Sequence, residues 1–543
     1  MESISANIVD AVAGEIFPAT LTVAEGRIAR IVRETAPCEH YLIPPLVDAH
    51  VHVESSLLTP AAFARLAVAH GTVAAVADPH EIANVMGVEG VDFMIEDGAR
   101  VPFKFFFGAP SCVPATPFES SGATLDVEAV TALLRRKDIW FLSEMMNFPA
   151  VISGDGEVLA KIRAAHQVNK PVDGHAPGLR GEPLAAYVAA GIQTDHETLT
   201  HEEAAEKLAL GMKLMLREGS AAKNFDEMAD FLASHPGRCM LCTDDCHPDD
   251  LAANHIDNLV RRAIQRGIAP LQVLQAASVT PVRHYGLPVG LLQEGDPADW
   301  VRIDGFESVT ILETRIGGQV VARDGQSLLE PEPAQPVNRF EAVATDAETF
   351  SVPHSGGQVR VIHALDGQLV TEAMAMEPKV VGGKAVPDPD RDLLKLAVVN
   401  RYRQCPPAVA FVHGFGLQSG AIASSVAHDS HNIVAVGTSD AEISRAVNRI
   451  VHHRGGLAAV RGDTEEVLPL PVAGLMTTVD GYRAADSYGR LNAMAISMGS
   501  RLQSPFMTLS FMSLLVIPSL KLSDRGLFDA DTFSFLPLQL RKE

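Results

Sequence analysis

The residues best suited to chemistry lie in one short run, Leu46-Val47-Asp48-Ala49-His50-Val51-His52-Val53-Glu54, directly after Pro44-Pro45. The run reads as a strand ending in His-x-His. Side chains two apart on a strand face the same way, so His50 and His52 can hold one cation together. Imidazole pairs of this kind suit Zn, Fe or Mn. The motif is short and also fits two ordinary strand-end histidines, so the elements around it must decide.

Those elements are short apolar runs separated by helix-length segments, the pattern of βα units around a parallel sheet. Eight runs are counted: Tyr41 to Asp48, Val73 to Asp78, Phe103 to Gly108, Ile139 to Glu144, Val172 to His175, Ile192 to His196, Lys213 to Arg217 and Cys239 to Asp244. Helix starts fall between them, with Pro60 after Thr59, and with Asp126 and Asp226 as expected N-caps. This is the size and rhythm of a TIM-like (β/α)8 barrel, whose active sites sit at the C-terminal strand ends.

Read at those ends, strand one gives His50 and His52, strand two Asp78-Pro79-His80-Glu81, strand four Glu144, strand five His175, strand six His196 and strand eight Asp244-Asp245. A ring of six mixed nitrogen and oxygen ligands exceeds one tetrahedral site, which leads us to expect two divalent ions sharing Glu144 and a water. Oxygen-rich ligands free of thiolate lean toward Mn, Fe or Zn without choosing among them; Mn2+ or Fe2+ is the expectation, with Zn2+ as the alternative.

The flanks extend the plan. Residues 1–43 and 285–328 carry hairpin-like strands and are expected to form one small β-sandwich domain beside the barrel of residues 44–284. The Pro-rich stretch around Glu330 to Pro336 marks a linker, residues 329–342, before a C-terminal α+β domain of residues 343–543. Composition excludes several classes. A chain of 543 residues with net charge -23 and no acidic tail is not expected to bind nucleic acid or an anionic membrane. Six scattered cysteines and a polar N-terminus without a secretory pattern fit the cytoplasm. The apolar stretch Phe506 to Ile517 is too short to span a bilayer. A homo-oligomer, dimer or tetramer, is the expectation for a soluble enzyme of this size.

Four segments carry a resemblance: Val47 to Ser56, Ala77-Asp78-Pro79-His80-Glu81-Ile82-Ala83-Asn84-Val85, Asp173-Gly174-His175-Ala176-Pro177 and Cys242-Thr243-Asp244-Asp245. They resemble the amidohydrolase superfamily and, within it, the bacterial adenine deaminase family, as does the C-terminal Val426-Ala427-His428-Asp429-Ser430-His431-Asn432. Glu144 stands where hydantoinases and dihydroorotases place a lysine, a departure that the adenine deaminase family shares. The resemblance implies a metal-dependent hydrolase of purine salvage that converts adenine and water to hypoxanthine and ammonia, with a metal-activated hydroxide attacking C6. It implies His50, His52, Glu144, His175, His196 and Asp244 as metal ligands, Glu81 as the acid that protonates N1, and Asp244 as the shuttle that takes the hydroxide proton to the leaving amine. Alternation along a strand leaves room for only one of Asp244 and Asp245 at the metals. Asp244 is expected to be ionised beside metal and Glu81 to be raised toward neutrality.

Further candidates are weaker. His80, on the same loop as Glu81, can orient that acid or meet substrate, and Asp78 opens the loop. Arg217-Glu218-Gly219-Ser220 at the end of strand seven can contact substrate or simply make the turn, with Gly219 turning the chain and Ser220 as a cap. His428, Asp429 and His431 can reach the barrel mouth, cover substrate or bind a further ion, or merely cap a loop of the second domain. The Cys239/Cys242 and Cys246-His247 pattern imitates a zinc knuckle, but residues three apart on a strand face opposite sides. An alternative function is a hydrolase of cyclic amides or a related nucleobase; a non-catalytic relative would lack ligands, and none is missing here.

Overall fold

The computed structural model describes residues 2–220 and 222–540. Eight parallel strands form the barrel: Leu46–Val51, Thr72–Ala77, Lys104–Ala109, Ile139–Met145, Val172–Gly174, Thr194–Asp195, Lys213–Arg217 and Cys239–Cys242. The first five bond edge to edge as one sheet and the last three as another. Closure comes from single bonds at the seams. The Asp244 N–H donates to the His50 carbonyl (2.9 Å), the His52 N–H to the Asp244 carbonyl (3.1 Å), and the Gln193 N–H to the Val172 carbonyl (3.0 Å). Burial on both faces explains the near-continuous Val, Ala and Phe of these strands.

The run expected over Tyr41 to Asp48 is divided. Proline cannot donate to a ladder, so Pro44-Pro45 ends one strand, Tyr41–Ile43, before Leu46–Val51 begins. Tyr41–Ile43 bonds on one side to Glu2–Asp10 and on the other to Trp300–Ile303. It thereby joins the N-terminal and post-barrel segments into a single continuous eight-stranded sheet that makes up the flanking domain. Asp126 caps the helix Val127–Leu134 as its sequence suggests, accepting from the Ala129 N–H (2.8 Å). Asp226 does not cap: the helix starts at Phe225, and Asp226 instead pairs with Arg262 (2.7 Å) and Arg266.

The C-terminal domain is built on another eight-stranded sheet, with the helix Asp440–His453 on one face. Its strands Ala421–Ser424 and Ile433–Gly437 pair antiparallel, and the connection between them carries His428 to Asn432 toward the barrel mouth. Arg401 and Tyr402 hold that connection. The Arg401 N–H donates to Asn432 Oδ1 (3.1 Å), and the Tyr402 hydroxyl donates to the Ser430 carbonyl (2.6 Å). From the barrel side, the loop after strand three accepts the Asn432 amide at the Ser120 carbonyl (2.9 Å) and donates from the Ser120 N–H to Asp524 (2.9 Å). One apolar core runs without a break from barrel residues such as Val47 and Phe141 to Leu396, Val434 and Leu509.

Candidate active site

The six expected ligands converge at the C-terminal end of the barrel, all but His175 almost fully buried. Glu144 lies between two sets of histidines. Its Oε1 is 3.3 Å from His52 Nε2, while Oε2 is 2.8 Å from His175 Nδ1 and 3.1 Å from His196 Nε2. Asp244 Oδ1 faces His52 (3.2 Å) and His50 (3.5 Å). Ligand atoms of His50, His196 and Asp244 form one close group, and those of Glu144, His175 and His196 another.

This donor set fits a bound cation. His50 is wholly buried, yet neither of its ring nitrogens has a hydrogen-bond partner. An unmet buried polar atom is costly, and a cation among these donors would relieve it. Burial works against ionised Glu144, but the charge and hydrogen bond of His175 and the hydrogen bond of His196 hold it well below the usual carboxylate range.

Behind these residues stands a polar layer. Asp48 accepts from Thr243 Oγ1 (2.5 Å) and the Thr243 N–H (3.0 Å), and faces His255 (3.1 Å), pinning the end of strand eight. Asp244 has φ of 58°, a left-handed conformation beyond the strand's end at Cys242. Alternation therefore does not separate Asp244 from Asp245: carboxylate oxygens of both lie close to His52. The left-handed turn at Asp244, rather than strand alternation, sets where the two carboxylates lie. Asp245 also accepts from Ser55 Oγ (2.5 Å).

Glu81 sits in the first turn of the helix His80–Met86, gripped from the second domain. His428 Nδ1 hydrogen-bonds its Oε1 and His431 Nε2 its Oε2. The expectation of a raised Glu81 is overturned by these rings. Burial pushes its pKa up, but the charges of His428, His431 and His80 outweigh it and bring it well below the usual range. The proton moves to the partner: burial opposes it, yet Glu81 and Asp245 push His428 up to about 9. The His428 ring also stacks on Phe511, with centroids 4.9 Å apart. Asp429 approaches His80 (3.7 Å).

The other candidates separate. Asp78 is fully buried and accepts from the His80 N–H (3.1 Å), so it supports His80 rather than facing a cavity. Ser220 lines an open cavity of about 590 Å³ next to the metal-type residues. Glu218 lines neither this cavity nor the smaller one at the ligands, and pairs with Arg262 (2.9 Å) and Lys223 (3.3 Å).

Glu197, Phe511 and Leu369 are not among the sequence candidates, whereas Arg217, expected as a substrate contact or turn residue, is found paired with two carboxylates. Arg217 Nη1 donates to Glu197 Oε1 (2.6 Å) and Asp244 Oδ2 (2.5 Å), and its Nη2 to Glu197 Oε2 (2.8 Å). Burial opposes ionisation of Asp244, but Arg217 and the two histidines of strand one keep it well below its usual range. The available signal was position, since Arg217 ends strand seven and Glu197 directly follows His196. Phe511 and Leu369, which line both cavities, come from the distant C-terminal domain and left no such signal.

Comparison with known proteins agrees with this geometry. Residues 41–321 match the amidohydrolase family and residues 368–534 the adenine deaminase C-terminal domain. A protein of Salinibacter ruber named adenine deaminase is 57% identical over 537 residues, covering 98% of each chain. Another so named, from a Sulfurovum species, is 53% identical, again over 98% of each. The chain belongs to the adenine deaminase family. Within that family's two-part plan, the barrel carries the ligand ring, and the segment matching the C-terminal domain carries His428 and His431.

Proposed function

We propose that this chain is an adenine deaminase, hydrolysing adenine to hypoxanthine and ammonia. The observation that carries the reading is the grip of His428 and His431 on Glu81, which joins the two family segments in one site. His50, His52, Glu144, His175, His196 and Asp244 would hold two divalent ions, Mn2+ or Fe2+ with Zn2+ as the alternative, and Glu144 has an oxygen for each set of histidines. Such ions would supply a water acidic enough to act as nucleophile at neutral pH.

The chain's own residues then manage the protons. The proton for N1 comes from the His428 imidazolium and passes through Glu81 Oε1 as C6 is attacked, leaving His428 neutral and Glu81 ionised; the pair works as one proton store. Asp244, kept ionised by Arg217, accepts the proton of the attacking water at Oδ1 and hands it to the departing amine. His80 orients the loop that carries Glu81. The ligand cavity of about 40 Å³ opens past Leu369, Phe511 and Ile517 into the cavity of about 590 Å³, a route for a planar base. Phe511 offers an apolar face to that base and closes the site against bulk water.

We place the enzyme in the cytoplasm as a dimer or tetramer, with its small-molecule substrate as sole partner. Among the described residues no helix is long and apolar enough to cross a membrane. Ammonia release is to be measured after Mn2+, Fe2+ or Zn2+ is returned to metal-free protein, with adenine, dihydropyrimidines and hydantoins as substrates. Release from adenine supports the reading. Ring opening of the cyclic amides without reaction of adenine would favour the alternative hydrolase.

A further inference from the structure

The opposite end of the barrel holds a second concavity that catalysis does not use. Lys213 opens the strand whose far end, Arg217, faces the catalytic cavity. Around Lys213 lies a space of about 580 Å³, walled also by Gln193, Gln275, Thr280, Arg283 and His284. Among the described residues no carboxylate lines it, in a chain with 67 acidic and 44 basic residues. Arg283 and Lys213 make no ion pair or side-chain hydrogen bond among the described residues.

Further positive charge surrounds them. Arg238, anchored on the Met212 carbonyl (2.9 Å), is close enough that, after burial, its charge is the next cause lowering the Lys213 pKa, ahead of the opposing pull of the buried Asp173, whose carboxylate is held by Thr194 and Tyr285 and does not line the space. Such mutual repulsion is unfavourable unless an anion sits between the groups. Burial and the Lys213 charge push His284 down to about 3, so the ring is neutral at pH 7, and its Nε2 is buried without a partner. A neighbouring space of about 560 Å³ shares Gln193, Arg283 and His284 and adds Lys170, whose ammonium is spent on the Leu134 and Arg136 carbonyls (2.6 Å each).

We propose that this N-terminal face of the barrel is a binding site for a phosphate group, held by Lys213 and Arg283 with the Gln193 amide as a neutral donor. Arginine and lysine at one polar concavity without a carboxylate are the groups that recognise phosphate oxygens. The ligand is inorganic phosphate or a nucleoside monophosphate, the second space being large enough for the nucleoside part.

Calorimetric titration of the metal-replete enzyme with inorganic phosphate and with adenosine 5′-monophosphate tests this, using wild type, R283Q and K213Q. The expected result is binding that weakens at least tenfold in each variant, while adenine turnover in chloride buffer stays unchanged. A monophosphate bound tenfold more tightly than phosphate identifies the nucleotide as ligand; equal affinities identify the free ion. Absence of binding by both probes, or binding as strong in R283Q and K213Q as in the wild type, overturns the proposal.

Discussion

Glu81 of the barrel is hydrogen-bonded through Oε1 to Nδ1 of His428, a residue 347 positions further along the chain. The proposed acid and the histidine bonded to it thus lie in different matched segments of the chain, the amidohydrolase part and the adenine deaminase C-terminal part.

His428→Ala should lower kcat by about 100-fold, the usual worth of a positioned proton donor, while bound metal stays at the wild-type level. Steady-state kinetics and metal analysis of the same sample check it; loss of metal would show that His428 belongs to the ligand set.

Arg217 is buried between Glu197 and Asp244. Arg217→Met leaves two buried carboxylates without their cation, which costs about 3–5 kcal/mol. Denaturant unfolding should reveal that loss together with a fall in metal content; unchanged stability would contradict the clamp.

How far these groups can be read from sequence follows from their distance along the chain. His50, His52, Glu144, His175 and His196 end or directly follow strands, so local periodicity finds them. Asp244 and Asp245 escape the alternation rule because the chain has already left the strand, with Asp244 at φ of 58°. The direction of the Glu81 shift could not be read locally, since it depends on how a loop more than three hundred residues away docks. Glu218 sits beside the right strand, but Arg262 of a following helix captures it.

The two sets of histidines around Glu144 predict two ions per chain. Glu144→Gln should lower the occupancy of both, measured by elemental analysis after dialysis, and chelation of the wild type should abolish turnover until metal is returned. A wild-type stoichiometry of one active ion would contradict a shared Glu144.

Lys521 supplies a pH dependence away from the metals. Its ammonium is buried and donates to the carbonyls of Leu369 (2.7 Å) and Phe511 (3.1 Å), which line the substrate route, and burial pushes its pKa down to about 7. The unfolded value is about 10.4, so between about pH 7 and 10 the folded chain binds fewer protons than the unfolded one. The cost of burying this charge is therefore full below about pH 7 and is relieved as pH rises through that window. Lys521→Met should remove a stability slope of up to about 1.4 kcal/mol per pH unit there, measured as the difference between unfolding curves of variant and wild type.

The most direct test is adenine turnover by metal-replete wild type beside Glu81→Gln, following hypoxanthine and ammonia together. The account predicts equimolar products from wild type and none from the variant at unchanged metal content. Fully metallated wild type that leaves adenine intact, or a Glu81→Gln enzyme that still turns it over, would contradict it.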